Sequence, residues 1–137
     1  MTTGTWYPGR LHELSPEECW ELLAAHSVGR VAFVGPDGPE VLPLNYAVAR
    51  GAVLLRTSPS SALGRKLRHD VAAFQVDEID EFTESGWSVL LRGLVEAIDV
   101  ADLSPDDERP EPWAAGDRTL HLRLTPRTVT GRRLVPT

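Results

Sequence analysis

Six short runs of strand-like sequence, joined mainly by tight turns, predict a mainly-β protein. The expected architecture is an antiparallel sheet closed into a six-stranded barrel, with two or three small helices. Turn signals are the first reason: Gly35-Pro36-Asp37-Gly38 and Arg50-Gly51 each separate two β-rich runs. Alternation is the second, since Leu120, Leu122 and Leu124 interleave with Thr119, His121 and Arg123 at a period of two. The third is Gly93, which stands inside the longest run, where a bulge or tight bend lets a sheet curl. At 137 residues the chain is long enough for one core and short for two, so a single domain over 1–137 is expected.

Residues 1–13 read as an N-terminal arm whose Trp6 and Tyr7 dock on the rest of the chain. Ser15-Pro16-Glu17-Glu18 is a helix start: a capping hydroxyl, proline at the first helical position, and glutamate three residues after the cap. The helix should run to about His26, with Cys19, Leu22 and Leu23 on one face. Strands follow over Val28–Val34, Val41–Val48 and Ala52–Thr57, then a short helix over about Ser61–His69. A fourth strand is expected from Val71 to about Val76, before the acidic stretch Asp77-Glu78-Ile79-Asp80-Glu81. Trp87–Ile98 is the fifth. Residues 104–117 read as an irregular surface loop, opened by a helix start or turn at Ser104-Pro105-Asp106-Asp107 and proline-rich from Arg109. The last strand covers about Thr119–Leu124.

Composition narrows the function. A net charge of -6 argues against sequence-independent nucleic-acid binding, which relies on clustered cations to displace counterions. One cysteine, Cys19, leaves no internal disulfide framework and fits a reducing compartment. No basic-then-apolar leader opens the sequence, and no apolar run approaches the roughly 20 residues of a membrane helix. A cytoplasmic protein with no membrane partner is expected. His12, His26, His69, His121 and Cys19 are scattered, with no pair at a ligand spacing, so no metal site is expected. There is no Gly-x-Ser-x-Gly elbow, and Gly64-Arg65-Lys66-Leu67 lacks the glycine spacing and following hydroxyl of a phosphate loop. The carboxylates of 77–84 and 106–111 read as solvated loops.

Two segments can carry chemistry. In Arg56-Thr57-Ser58-Pro59-Ser60-Ser61, small hydroxyls precede a helix bearing Arg65, Lys66 and Arg68, and Lys66 is the chain's single lysine. Hydroxyls backed by cations suit a phosphate monoester or sulfate. A solvated helix face with Leu63 and Leu67 packed inward at i, i+4 fits the same residues. In Leu42-Pro43-Leu44-Asn45-Tyr46 a proline interrupts a strand, where it cannot donate a ladder hydrogen bond. An edge strand guarded by proline is the plainer reading. The other is a strand whose free backbone groups meet a planar heterocycle.

The order of these segments is familiar: Val28-Gly29-Arg30-Val31-Ala32, Leu42 to Tyr46, Arg56-Thr57-Ser58, Gly64-Arg65-Lys66-Leu67, Trp87-Ser88-Val89 with Arg92-Gly93, and Leu124-Thr125-Pro126 before Val129-Thr130-Gly131-Arg132-Arg133. Over roughly residues 12–134 the chain resembles the pyridoxamine 5'-phosphate oxidase-like proteins with the FMN-binding split barrel, in their short actinobacterial branch. The resemblance implies a homodimer with flavin mononucleotide (FMN) at the interface. It places Pro43, Leu44, Asn45 and Tyr46 along the isoalloxazine ring. Arg56, Thr57, Ser58, Ser61, Arg65 and Lys66 would hold the phosphate end. Trp87, Ser88 and Val89 would approach the cofactor from the fifth strand. No basic, histidine-containing pyridoxamine phosphate site is found near the C-terminus, so the expectation is an FMN-dependent oxidoreductase of an unidentified small molecule, with no catalytic residue assigned. A deazaflavin-dependent reductase, with Arg132 and Arg133 toward an acidic tail, is an alternative. So is a flavin- or haem-binding protein without turnover, or a barrel serving only as an interaction module.

Overall fold

The computed structural model describes residues 9–136, so the expected docking of Trp6 and Tyr7 lies outside the described residues. The elements are β1 (Arg10–Glu13), α1 (Pro16–Ala24), β2 (Val28–Gly35), β3 (Gly38–Ala49), β4 (Ala52–Thr57), α2 (Ala62–Lys66), β5 (His69–Asp80), β6 (Ser85–Ile98), a 3-10 turn (Val100–Asp102) and β7 (Leu120–Val135). All pairings are antiparallel. The strands run β1-β7-β4-β3-β2-β5-β6, and β6 pairs back onto β7. The expected six strands therefore close a ring. The seventh, β1, comes from the N-terminal arm and adds to β7 through Arg10↔Val135 to Glu13↔Arg132.

Where the elements begin follows from local chemistry. Ser15 Oγ accepts the Glu18 N–H at 3.2 Å, and Glu18 Oε1 accepts the Ser15 N–H at 3.0 Å. With Pro16 next, this is the expected capping box. The Glu18 carboxyl is held below its ordinary pKa by the Ser15 backbone N–H and then by the Ser15 hydroxyl. Arg50 and Gly51 both have positive φ, 53° and 74°, as a two-residue hairpin with strand-matching twist requires. The ladder of β6 on β7 shifts register between Arg92 and Gly93, opposite Thr128 and Pro126. A Cβ on Gly93 would lie 2.1 Å from the Thr125 carbonyl oxygen, so the bend expected at Gly93 is a close backbone approach.

Two strands outrun their expected ends. β5 continues through the acidic residues to Asp80, because residues 77–80 pair with 85–88 of β6. Backbone pairing to a long partner carries this hairpin outward although Glu78, Ile79 and Asp80 are exposed. β7 continues past Leu124 to Val135. Pro126 is tolerated because it sits at the register shift, where the ladder is already interrupted.

The barrel is filled by alternate residues. Trp87, Val89, Leu91 and Val95 of β6 face inward with Val31, Phe74, Val53, Leu55, Leu122 and Leu124. α1 contributes Cys19 and Leu23, both fully buried, while Leu22 is half-buried. Leu63 and Leu67 of the α2 region are buried as the i, i+4 pattern predicts. Residues 99–119 run along the outside of β4, where Arg56 Nε–H donates to the Arg118 carbonyl at 2.6 Å.

Candidate functional site

The hydroxyl cluster forms where β4 ends. Thr57 is buried, and its Oγ1 lies 3.0 Å from Ser61 Oγ. Ser61 Oγ accepts the Gly64 N–H at 2.9 Å, capping α2, and donates to the Ser58 carbonyl at 2.7 Å. Ser58 and Ser60 share a hydroxyl contact of 3.0 Å. The turn thus folds its own hydroxyls into a knot of hydrogen bonds spanning at most four residues. Such local side-chain to backbone bonds are what Ser and Thr offer at helix starts.

Beyond this knot α2 projects its cations outward. Arg65 and Lys66 line a cleft of about 320 Å³ with Ala62, with Val34 near the end of β2 and with Pro36 of the β2–β3 turn. Lys66 Nζ is paired with Asp70 Oδ2 at 3.1 Å. The Asp70 carboxyl sits below its ordinary pKa, first because it accepts the Val71 N–H and then because of Lys66. Arg65 makes no ion pair among the described residues. Arg56, grouped with this end by the sequence, turns its Nε to the 99–119 segment.

The proline strand lies beside the knot. β3 pairs with β4 only from Tyr46↔Leu55 to Ala49↔Ala52, so the ladder has stopped before Pro43, Leu44 and Asn45. On its other side β3 pairs with β2 through Pro43↔Arg30 and Asn45↔Val28. The stretch 38–45 is therefore an edge on one side only, which accommodates Pro43. The edge reading of this segment holds: Pro43 sits where the β4 ladder has stopped, which leaves the β4-facing side of 43–45 without a strand partner among the described residues. Tyr46 turns its side chain into the core, against Phe74 at 5.0 Å between ring centres. Its hydroxyl donates to the Leu23 carbonyl at 2.5 Å, and burial pushes its pKa far above the ordinary value. Its backbone is paired as well, with Leu55 of β4 and through its N–H with the Ser27 carbonyl at 3.0 Å.

Trp87, Ser88 and Val89 sit on β6 with alternating directions. Val89 is fully buried, Ser88 is half-buried, and Trp87 packs edge-on against His26 at 4.9 Å. Ser88 pairs with Arg132 and Trp87 with Arg133. Trp87, Ser88 and Arg132 line a groove of about 380 Å³ with Leu11, Ile79 and Leu134. Within this one chain, this groove and the α2 cleft have no lining residue in common.

Sequence reasoning did not single out what faces Asn45. Its Oδ1 accepts the Trp113 N–H at 2.9 Å, 68 residues away, and its Nδ2 donates to the Ser27 carbonyl at 3.4 Å. A trough of about 540 Å³ results between the α1–β2 turn and residues 108–113. The one signal was a tryptophan inside the proline-rich stretch Pro110-Glu111-Pro112-Trp113. No group of three or more His, Cys, Asp or Glu able to hold a metal occurs among the described residues. Nor is any helix there long and apolar enough to cross a membrane.

A profile of the family described as pyridoxamine 5'-phosphate oxidase matches residues 15–133. The chain belongs to the pyridoxamine 5'-phosphate oxidase-like family. Its similarity to the uncharacterized protein Rv0080 of Mycobacterium tuberculosis is 30% identity over 129 residues, covering 90% of this chain and 85% of that protein. The fold is shared with the structure of an FAD binding protein from Mycobacterium smegmatis at 27% identity and a TM-score of 0.70, covering 90% of this chain and 98% of the other. An FAD-binding protein from Mesorhizobium loti, 23% identical, has the same fold at a TM-score of 0.71, with 92% and 98% covered. The expected split barrel is thus the observed fold of this family member.

Proposed function

We propose that this family member binds a flavin nucleotide, FMN, and serves as a flavin-dependent oxidoreductase for an unidentified small molecule. The observation that carries the reading is the hydroxyl knot of Thr57, Ser58 and Ser61, backed by Arg65 and Lys66 and set beside the open edge of β3. The residues fit the cofactor. Arg65 is the freer cation for a phosphate dianion, and Lys66 would share its charge between the phosphate and Asp70. Backbone groups of Pro43–Asn45, beyond the end of the β4 ladder, would meet a planar ring's polar edge, and Leu44 is half-buried there. Tyr46 holds that strand to α1 through its hydroxyl.

A bound flavin would supply the hydride or electron transfer, and the chain's part would be to bind, orient and restrict access. FAD is a second reading, favoured by the name of the Mycobacterium smegmatis relative. The absorption spectrum of the purified protein tests the class of cofactor. Flavin bands in the blue support the proposal. A violet deazaflavin band, a haem Soret band or a featureless visible spectrum would each replace it.

The same reading includes a homodimer. Val34, Val41 and Leu42 leave apolar surface exposed on the β2–β3 hairpin next to the α2 cleft, and Leu11, Ile79 and Leu134 do so around the β6 groove. A two-fold partner would cover the same patches on both copies. Light scattering on the size-exclusion peak should give twice the chain mass of 15.0 kDa. A monomer retaining flavin would contradict it.

A further inference from the structure

We infer that the trough between the α1–β2 turn and residues 108–113 is a second ligand site, for a flat aromatic cation, with Trp113 as its stacking platform and Asn45 as the residue that positions it. The inference goes beyond the flavin reading and rests on that reading only in calling this ligand a substrate.

Five observations meet here. Trp113 is 79% exposed although its backbone is fixed. An indole left open by a segment that is itself tied down keeps its face available, and tryptophan is the best aromatic partner for a cation. Asn45 supplies the tie: its amide bridges the Trp113 N–H and the Ser27 carbonyl, so both walls of the trough are held by one side chain. The 108–113 wall carries Glu108 and Glu111 against Arg109, an excess of negative charge on that wall. His26 also lines the trough, its Nδ1 2.8 Å from the Leu22 carbonyl and its Nε2 3.2 Å from Glu78 Oε2. Finally, the trough reaches the Asn45–Tyr46 end of the open β3 edge and includes no residue of the hydroxyl knot. A ligand bound there would leave the phosphate end untouched.

The test is calorimetric titration of the oxidised protein, with no reductant, against N-methylphenazinium and against anthraquinone-2-sulfonate, a flat anion. Wild type should bind the cation and bind the anion more weakly. Trp113→Ala should weaken N-methylphenazinium about tenfold, and Trp113→Phe should retain most of the affinity. Changing Glu108 and Glu111 together to glutamine should erase the preference for the cation. Asn45→Ala should weaken binding as Trp113→Ala does, while Asn45→Asp, which keeps an acceptor for the Trp113 backbone N–H but loses the donor to the Ser27 carbonyl, should restore it only in part. Equal affinity in wild type and Trp113→Ala, or tighter binding of the anion, would overturn the inference. FMN titration of Trp113→Ala keeps the two readings apart. Unchanged FMN affinity is expected, and a wild type that takes N-methylphenazinium but no flavin would remove the flavin reading alone.

Discussion

The two ends of the candidate site are built in opposite ways. At the α2 end, every hydrogen bond among Thr57, Ser58, Ser60, Ser61 and Gly64 spans four residues or fewer. At the β3 end, Asn45 reaches Ser27 and Trp113 across 18 and 68 residues, and Tyr46 reaches Leu23 across 23. Local construction makes the first end a property of its own sequence. Distant construction makes the second depend on the closed barrel. Damage to the two ends should therefore differ in reach.

The largest effect expected is that of Gly64→Ala. Its Cβ would lie 2.2 Å from the Ser58 carbonyl oxygen and 3.1 Å from Ser61 Oγ. Backbone crowding of this kind costs about 1–3 kcal/mol. The knot must open to relieve it, so FMN affinity should fall along with the urea midpoint. A variant with wild-type values for both would show that the knot is not as tightly made as described.

Ser15→Ala removes an equally local device that includes none of the candidate site residues. Losing such a cap costs about 0.5–2 kcal/mol. The melting temperature should drop while FMN titration is unchanged, and a selective loss of flavin would contradict this. Tyr46→Phe probes the distant construction instead. It removes one of two donors to the Leu23 carbonyl, leaving the His26 N–H at 3.3 Å, a loss of about 0.5–1.5 kcal/mol. Stability should fall modestly. Riboflavin affinity should hold to within a few-fold if the Tyr46 ring is a core group, whereas a large loss would mean that its side chain meets the flavin.

The smallest effect concerns pH. His121, 7% exposed on β7 opposite Arg56, has its pKa lowered from 6.5, first by burial and also by Arg56 and Arg109, although the Thr119 carbonyl raises it. A lowered histidine pKa means that the unfolded chain binds its proton first. The contribution is complete above pH 6.5 and is lost as pH falls through the folded value. Unfolding midpoints measured from pH 7.5 down to about 5.5 should decline, and His121→Gln should flatten that decline. An unaltered slope would show that His121 does not carry it.

The same division explains what could be read from the sequence. The capping box at Ser15, the Arg50-Gly51 turn, the inward Leu63 and Leu67, and the hydroxyl cluster all lie within a few residues, and each was legible. The bend at Gly93 was legible as well, although its cause, the Thr125 carbonyl, lies across a ladder. The hidden features are long-range. β1 was read only as part of an arm, because four exposed residues show no apolar pattern and pair only through backbone. The acidic end of β5 was masked for the same reason. Trp113 opposite Asn45 was invisible, since nothing local announces a contact across 68 residues.

The central claim is that the local end holds a phosphate, and one comparison tests it most directly. FMN and riboflavin share a ring and differ by that group. Changing Arg65 and Lys66 together to alanine should weaken FMN at least about tenfold, since hydrogen bonds to charged groups contribute roughly 1.5–3 kcal/mol each. Riboflavin should be nearly unaffected. Arg65→Ala alone should account for more of the loss than Lys66→Ala, whose charge already answers Asp70. Fluorescence titration of both flavins against wild type and double variant gives the answer: a selective loss of FMN supports the account, and unchanged FMN affinity, or equal losses for the two flavins, contradicts it.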